Sequence, residues 1–294
     1  MPKDNETEKQ EKIIPALLKN PWQVFIIEIF LFILTLGLGI AAAFRMNQIL
    51  AVQKITLPQV SSPQFIIYFL LAALFLFLIS RFLKLKKEKS TIFRVIFIFV
   101  VFFGGSLFLQ IWISDILALV LMGFSVLWWA KKPSVLIQDI CMILAMAGVG
   151  SSLGVTFTPL TVVFLLVIFS IYDFIAVYKT KHMVKMAKEM IENRAILALV
   201  IPQTLYGFKE NLGEIKLGGQ FLILGGGDVI FPLLLSTSLI SQGVINSFIV
   251  AIFAVVGLSV SFYIFSSQKF RQAIPALPPI ALFSIIGFLI TLII

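Results

Sequence analysis

The sequence predicts an all-α integral membrane protein with nine transmembrane helices, a cytoplasmic N-terminus and a C-terminus outside. Two observations carry this prediction. Apolar residues make up 60% of the 294-residue chain and fall in runs of about twenty, the length that a helix needs to cross a bilayer. Lysines and arginines lie between those runs and collect on one side of the predicted membrane.

The predicted spans are 22–44, 64–83, 92–111, 113–130, 135–154, 158–178, 219–238, 242–265 and 275–294. They form one membrane domain: a cytoplasmic tail (1–21), helices one to six (22–178), a cytoplasmic loop (179–218) and helices seven to nine (219–294). Of the 23 lysines and arginines, 21 then face the cytoplasm, and only Arg45 and Lys54 lie on the other side. Adding or removing one span would destroy this asymmetry.

The composition also excludes several functions. The net charge of +9 comes from residues between spans, which indicates contact with the membrane surface and not with nucleic acid. The single histidine, His182, lies in a lysine-rich segment, so we expect no metal site and no cofactor. A His-Glu-x-x-His zinc protease is impossible with one histidine, and a serine protease with a histidine base would have to use His182, which lies outside the spans.

The cytoplasmic loop 179–218 divides into three parts. Residues 181–194 place methionines and alanine opposite lysines and glutamates at helical spacing, which predicts an amphipathic helix on the membrane surface. Residues 195–206 are apolar but too short to span, which predicts an interfacial or re-entrant segment. Residues 213–218 alternate polar and apolar side chains, and we hypothesise that they pair with an unwound substrate as an added strand.

Ionisable residues within spans are costly and need a reason. Glu28, Asp115 and Asp139 lie near predicted helix ends, where interfacial carboxylates or helix caps are expected. Asp173 lies roughly 9 Å from the cytoplasmic end of the sixth span, and Asp228 roughly 15 Å from the cytoplasmic start of the seventh. Both carboxyl groups are therefore predicted in the cytoplasmic half of adjacent antiparallel helices.

Two such carboxyl groups in a low-dielectric site cannot both ionise, so the pair would hold one proton near neutral pH. A pair in this state can hydrolyse an amide, with one member as general base toward water and the other as general acid. On these two residues alone, a structural or proton-relay pair is equally compatible.

Two neighbouring motifs favour the protease. Gly225, Gly226 and Gly227 precede Asp228 and would give a partner access to the backbone, although glycines also pack membrane helices together. Pro275-Ala276-Leu277-Pro278-Pro279 opens the ninth span and interrupts regular helix, although proline also begins ordinary helices.

These residues resemble the presenilin and signal peptide peptidase family of intramembrane aspartyl proteases. Tyr172-Asp173, the G-x-G-D run at 225–228 and Pro275-Ala276-Leu277 match the family's motifs in order and on the matching spans. The resemblance implies that Asp173 and Asp228 are catalytic. It also implies that Tyr172, Gly225, Gly226, Gly227, Pro275, Ala276 and Leu277 shape the site and contact substrate. Many relatives carry leucine at the position of Gly226, a departure expected to affect substrate fit more than chemistry.

The resemblance further implies that the partners are the lipid bilayer and the transmembrane helices of substrate proteins. The cytoplasmic N-terminus is similar to presenilin, which leads us to expect substrates whose own N-terminus lies outside. We expect a prokaryotic, archaeal homologue in the cell membrane that needs no obligatory accessory subunits, and homo-oligomerisation stays open. Two alternatives also stay open: a proton-coupled transporter or channel that uses both aspartates, and an inert scaffold with the same fold.

Overall fold

The computed structural model describes residues 20–55, 63–64, 67, 89–215, 221–268 and 272–294. The N-terminal tail up to residue 19 and, apart from two positions, the predicted second span lie outside the described residues. The described helices are α1 (Pro21–Gln53), α2 (Lys89–Gln110), α3 (Asp115–Lys131), α4 (Val135–Thr156), α5 (Pro159–Phe174), α6 (His182–Glu192), α7 (Gly226–Ser238), α8 (Val244–Ser266) and α9 (Leu277–Thr291).

Two short strands, β1 (Ala198–Pro202) and β2 (Phe221–Gly225), and two 3-10 turns (Leu205–Lys209 and Leu212–Glu214) join α6 to α7. Among the described helices, five are long and apolar enough to cross a membrane; they begin at Pro21, Phe93, Val135, Pro159 and Val244. The structure therefore confirms a mainly helical protein with several helices that are long and apolar enough to cross a membrane.

Local sequence explains where several helices begin. Pro21 and Pro159 occupy first-turn positions, where the missing N–H has no helical partner to lose. Ser134 caps α4 by accepting a bond from the Ile137 N–H at 3.4 Å, and Thr158 caps α5 by accepting from the Thr161 N–H at 3.3 Å. The predicted amphipathic helix is confirmed as α6, which runs over His182–Glu192.

The prediction that the first part of the seventh span is helical is wrong. Residues 221–225 form β2, and helix begins only at Gly226, so α7 is 13 residues long. The preceding segment is also a strand: Ala198–Pro202 forms β1, where the sequence predicted an interfacial or re-entrant piece. The two apolar segments pair antiparallel, with Ala198 opposite Gly225 and Pro202 opposite Phe221. Each strand satisfies the backbone of the other, which a lone apolar segment could do only as a helix.

The described helices pack around α4, which contacts α1, α2 and α7. Helices α5, α8 and α9 also contact α7. Helix α7 therefore connects these three helices to the group that packs around α4. The close approach of α8 to α9 depends on Gly257, because a Cβ there would lie 2.7 Å from the Ile280 Cα and 2.8 Å from the Pro279 carbonyl oxygen. This contact fixes the beginning of α9, which is part of the site described next.

Candidate active site

Asp173 lies in the last turn of α5 and is only 4% exposed. Directly after it the chain changes from α-helix to a π-helix, Ile175–Lys179, in which the Thr180 N–H donates to the Ile175 carbonyl at 3.0 Å. Such π-turns are frequent at functional sites. The Oδ2 of Asp173 accepts a hydrogen bond from the backbone N–H of Leu277 at 3.3 Å, and this bond connects α5 to α9.

Asp228 is the third residue of α7 and is 8% exposed. The sequence placed it about ten residues into a helix, but the structure places it in the first turn, where the helix dipole favours a negative charge. Four residues later Pro232 lies inside α7. Because proline has no N–H, the Asp228 carbonyl loses its intrahelical partner, and the first turn of α7 is held less tightly than a regular one.

The two carboxyl groups belong to one site. Asp173 and Asp228 interact electrostatically, although 55 positions separate them along the chain. Contacts between α5 and α7 hold the pair together, and the rings of Phe169 and Phe231 stack there with centroids 4.5 Å apart. The predicted meeting of these two aspartates on neighbouring helices therefore agrees with the structure.

The end of β2 forms one wall of the site. The backbone of Gly225 hydrogen-bonds the Asp228 carboxyl group. A Cβ at Gly225 would lie 2.9 Å from Asp228 Oδ2, so only glycine leaves the carboxylate its present position. At Gly227 a Cβ would meet only the Phe231 ring, at 3.6 Å, an ordinary contact. The first and third glycines of the run thus have different roles.

The structure explains why residue 226 is glycine, which the sequence did not indicate. Its N–H donates to the Leu197 carbonyl at 3.1 Å, which extends the β1–β2 pairing by one residue. A Cβ on Gly226 would lie 2.9 Å from that same carbonyl oxygen and 3.5 Å from the Met142 methyl carbon. In this chain the glycine at position 226 is required by the close approach of β1.

The start of α9 brings the predicted proline motif to the pair. Pro275 and Leu277 are buried, Ala276 is half-buried, and helix begins at Leu277. Pro278 and Pro279 follow inside the first turn. Tyr172, in contrast, is 52% exposed, so its side chain lies on the open face of α5, away from the buried aspartate that follows it.

The expectation that Glu28 and Asp139 are interfacial or capping residues is wrong. Glu28 lies two turns into α1 and is 4% exposed, and Asp139 on α4 is 1% exposed. Asp139 Oδ1 accepts a bond from the Val200 N–H at 2.8 Å, and the neighbouring Gln138 donates to the Ile196 carbonyl. These bonds hold the outer edge of β1 against α4. Asp115 is exposed in the first turn of α3, as expected.

The sequence did contain a signal for Glu28. Buried residues of α1 recur at helical spacing on its face, among them Val24, Leu31 and Thr35. Glu28 continues this series, so a helical projection would place it on the buried face.

Comparison with known proteins agrees with this arrangement. The sequence profile described as signal-peptide peptidase, presenilin aspartyl protease matches residues 27–294. The protein belongs to this family and is an integral membrane protein. Among functionally curated proteins, none matches the chain significantly.

Two solved structures share the fold. Both are described as a presenilin family intramembrane aspartate protease, one in space group C222 and one in P2. The first superposes with a TM-score of 0.57 at 21% sequence identity, and the match covers 92% of this chain and 97% of the solved chain. The second gives a TM-score of 0.56 at 23% identity and covers 90% and 96%.

Proposed function

We propose that the protein is an intramembrane-cleaving aspartic endopeptidase that hydrolyses peptide bonds within the transmembrane helices of other membrane proteins. One observation carries the proposal: two buried carboxyl groups, Asp173 on α5 and Asp228 on α7, meet beside the end of β2. Family membership supports the same chemistry and does not favour the transporter alternative.

The chemistry needs only the pair and a water molecule. With one proton shared between the two carboxyl groups, the ionised member takes a proton from water, whose oxygen attacks the scissile carbonyl carbon. The protonated member hydrogen-bonds the carbonyl oxygen as negative charge develops there. When the C–N bond breaks, a proton from the pair passes to the leaving nitrogen, and the pair again holds one proton.

Substrate is recognised, in our proposal, at the outer edge of β2. The Gly226 N–H donates to the Leu197 carbonyl, so the backbone of Gly226 faces the side of β1. Because the backbone groups of successive residues in a strand point to opposite sides, those of Leu224 and Leu222 also face β1. Those of Phe221, Ile223 and Gly225 then face away from β1. β1 is buried along its length, but most of β2 is only half-buried. An unwound substrate segment can add there as a third strand that leads to Asp228.

This edge replaces the segment that the sequence suggested for the same task. Gly213 and Glu214 form a 3-10 turn, and residues 216–218 lie outside the described part of the chain. A peptide bond in a membrane helix is protected by its own hydrogen bonds, so cleavage requires unwinding and new backbone partners. The edge of β2 offers such partners beside the carboxyl pair.

We also propose the topology and setting inferred from the charges: nine spans, a cytoplasmic N-terminus and a C-terminus outside, in a prokaryotic cell membrane. The carboxyl pair then opens toward the cytoplasm, and preferred substrates have their N-terminus outside. Self-sufficiency without accessory subunits is part of the proposal, and the oligomeric state is left open.

The experiment uses the full-length protein in liposomes with a membrane-spanning peptide. Mass spectrometry measures cleavage, and a trapped pH-sensitive dye measures acid-dependent flux. We expect peptide fragments cut within the apolar span and no flux above that of empty liposomes. Flux without cleavage would support the transporter, and neither signal would support an inert scaffold.

A further inference from the structure

Two neighbouring side chains of α4, Gln138 and Asp139, cover the edge of β1 that faces away from β2. Asp139 Oδ1 accepts a hydrogen bond from the Val200 N–H at 2.8 Å, and Gln138 donates to the Ile196 carbonyl. Pro202 faces the same side as Val200 and has no N–H to offer. An open strand edge is a template for a further strand, and at β1 this edge is occupied by α4. We call Gln138 and Asp139 the α4 clamp.

The same end of α4 also holds the chain that follows β1, and α3 holds the clamp itself. Trp129 Nε1, on α3, donates to Gln138 Oε1 at 2.8 Å, so the other end of the Gln138 amide is turned toward β1. The Val135 N–H donates to the Glu210 carbonyl at 3.1 Å. The segment that contains β1 is therefore bonded to α4 before, within and after the strand.

The sheet connects the clamp to the carboxyl pair. β1 pairs with β2 along its whole length, with Val200 opposite Ile223. β2 ends at Gly225, where a Cβ would lie 2.9 Å from Asp228 Oδ2. Helix α4 also packs against α7, which carries Asp228. One helix thus supports both the sheet and the carboxyl group, and it fixes the free edge of β2 relative to Asp228.

The burial of Asp139 is costly without such a role. The residue is 1% exposed, and its Oδ2 has no hydrogen-bond partner among the described residues. A buried carboxyl oxygen without a partner costs free energy that an apolar side chain would not. An apolar side chain, however, could not accept the bond from the Val200 N–H.

We propose that Asp139, together with Gln138, is a positioning residue for the substrate: the clamp holds the sheet so that the free edge of β2 brings one particular peptide bond to the carboxyl pair. This inference rests on the proposed protease function and on substrate addition at β2. Because α4 covers the edge of β1, the sheet can take a further strand only at β2. Asp139 acts through β1 and is not a catalytic residue.

Loss of the clamp changes where the substrate is cut. Without the bond to the Val200 N–H, the sheet takes several positions relative to Asp228, and peptide bonds on either side of the usual one reach the carboxyl pair. One hydrogen bond changes such an equilibrium by about fivefold. A general loss of stability, in contrast, lowers the rates of all cuts equally and leaves their ratio unchanged.

The first test identifies, by mass spectrometry, the bonds that are cut in a membrane-spanning peptide at early times. In Asp139→Ala we expect the share of cuts at bonds next to the main site to rise about fivefold. Asp139→Asn keeps an oxygen for the Val200 N–H and cuts where wild type cuts. Ser151→Ala is the matched control, because it removes a buried hydroxyl of α4 that bonds only within its own helix. An unchanged distribution of cuts in Asp139→Ala would overturn the inference.

Thermal unfolding shows whether each variant folds. Where Asp139→Ala does not fold, Gln138→Met takes its place. It removes the donor to the Ile196 carbonyl and keeps the length of the side chain. The expected rise in neighbouring cuts is the same, and an unchanged distribution again overturns the inference.

A second readout needs no activity. Amide hydrogen exchange of the full-length protein without substrate reports how firmly the sheet is held. In Asp139→Ala we expect faster exchange than in Asp139→Asn at Val200 and at the β2 amides that face β1, Leu222 and Leu224. Faster exchange at Val200 with unchanged β2 amides would overturn the inference. A folded wild type that cleaves no peptide would contradict the proposed function, whereas the exchange measurement would still decide whether the clamp positions β2.

Discussion

The backbone N–H of Leu277 donates a hydrogen bond to Asp173 Oδ2 at 3.3 Å, and this bond joins the first residue of α9 to the last turn of α5. The first N–H groups of a helix have no intrahelical partner, and Pro278 and Pro279 have no N–H at all. The proline motif thus presents the Leu277 amide to the carboxyl pair. Its contribution to the site is a backbone donor in addition to a buried side chain.

Leu277→Pro removes this donor, and Leu277→Ala keeps it while truncating the same side chain. A hydrogen bond to a charged group contributes about 1.5–3 kcal/mol, so we expect Leu277→Pro to be at least about tenfold slower in kcat than Leu277→Ala. Single-turnover cleavage measures the difference, with thermal unfolding of both variants compared. Equal rates in two equally stable variants would show that the bond has no catalytic role.

Gly225→Ala is expected to lower activity without lowering stability. The new Cβ would occupy space 2.9 Å from Asp228 Oδ2, so the carboxyl group must move from its position beside Asp173. A displacement of about 1 Å can cost on the order of 100-fold in rate. Cleavage and unfolding are measured on the same preparation.

Gly227→Ala is the matched control for this prediction, because its Cβ would meet only the Phe231 ring at 3.6 Å. This variant should fold like wild type and keep the Asp228 carboxyl group in place. A rate loss as large as that of Gly225→Ala would point to the substrate, and not to the position of Asp228, as the cause in both variants.

Gly226→Leu is expected to destabilise this chain. The side chain would displace Leu197, directly before β1, because the Leu197 carbonyl oxygen lies 2.9 Å from the position of a Cβ. We expect the free energy of unfolding to fall by about 1–3 kcal/mol. Faster hydrogen exchange of the Val200 amide in β1 would report the displacement. Unchanged exchange and stability would mean that the strands adapt without cost.

Ile223→Pro tests the substrate edge of β2. Its N–H faces away from β1, so a proline there leaves the β1–β2 bonds intact, as edge strands tolerate. Ile223→Ala keeps the N–H and serves as the control for side-chain loss. We expect only the proline variant to lose turnover of a transmembrane peptide, by about tenfold or more. Equal turnover in both variants would contradict strand addition at this edge.

The sequence predicted the elements whose physical signal is local. Long apolar runs required helices, and Asp173, Asp228 and the proline motif were identified from their positions in those runs. The β1–β2 pair was missed because a five-residue apolar run fits a strand or a buried helix equally well. Each of the two segments forms a strand because it pairs with the other, some 20 residues away in the chain.

The same limit applies to buried charges. Glu28 and Asp139 lie near helix ends, where a carboxylate usually reaches headgroups. Their burial depends on α7 and on β1, neither of which is adjacent in sequence. Gly226 was interpreted as substrate clearance because the approach of β1 could not be predicted from its own neighbours.

The central claim is that Asp173 and Asp228 act together on a peptide bond. The most direct measurement is cleavage of a membrane-spanning peptide by wild type, Asp173→Asn and Asp228→Asn, with Asp115→Asn, at an exposed aspartate, as the control. Asparagine keeps the shape of the side chain but can neither accept nor release the proton. We predict that each single active-site variant folds and loses cleavage entirely, while Asp115→Asn cleaves like wild type. Cleavage that persists in either active-site variant would contradict the account.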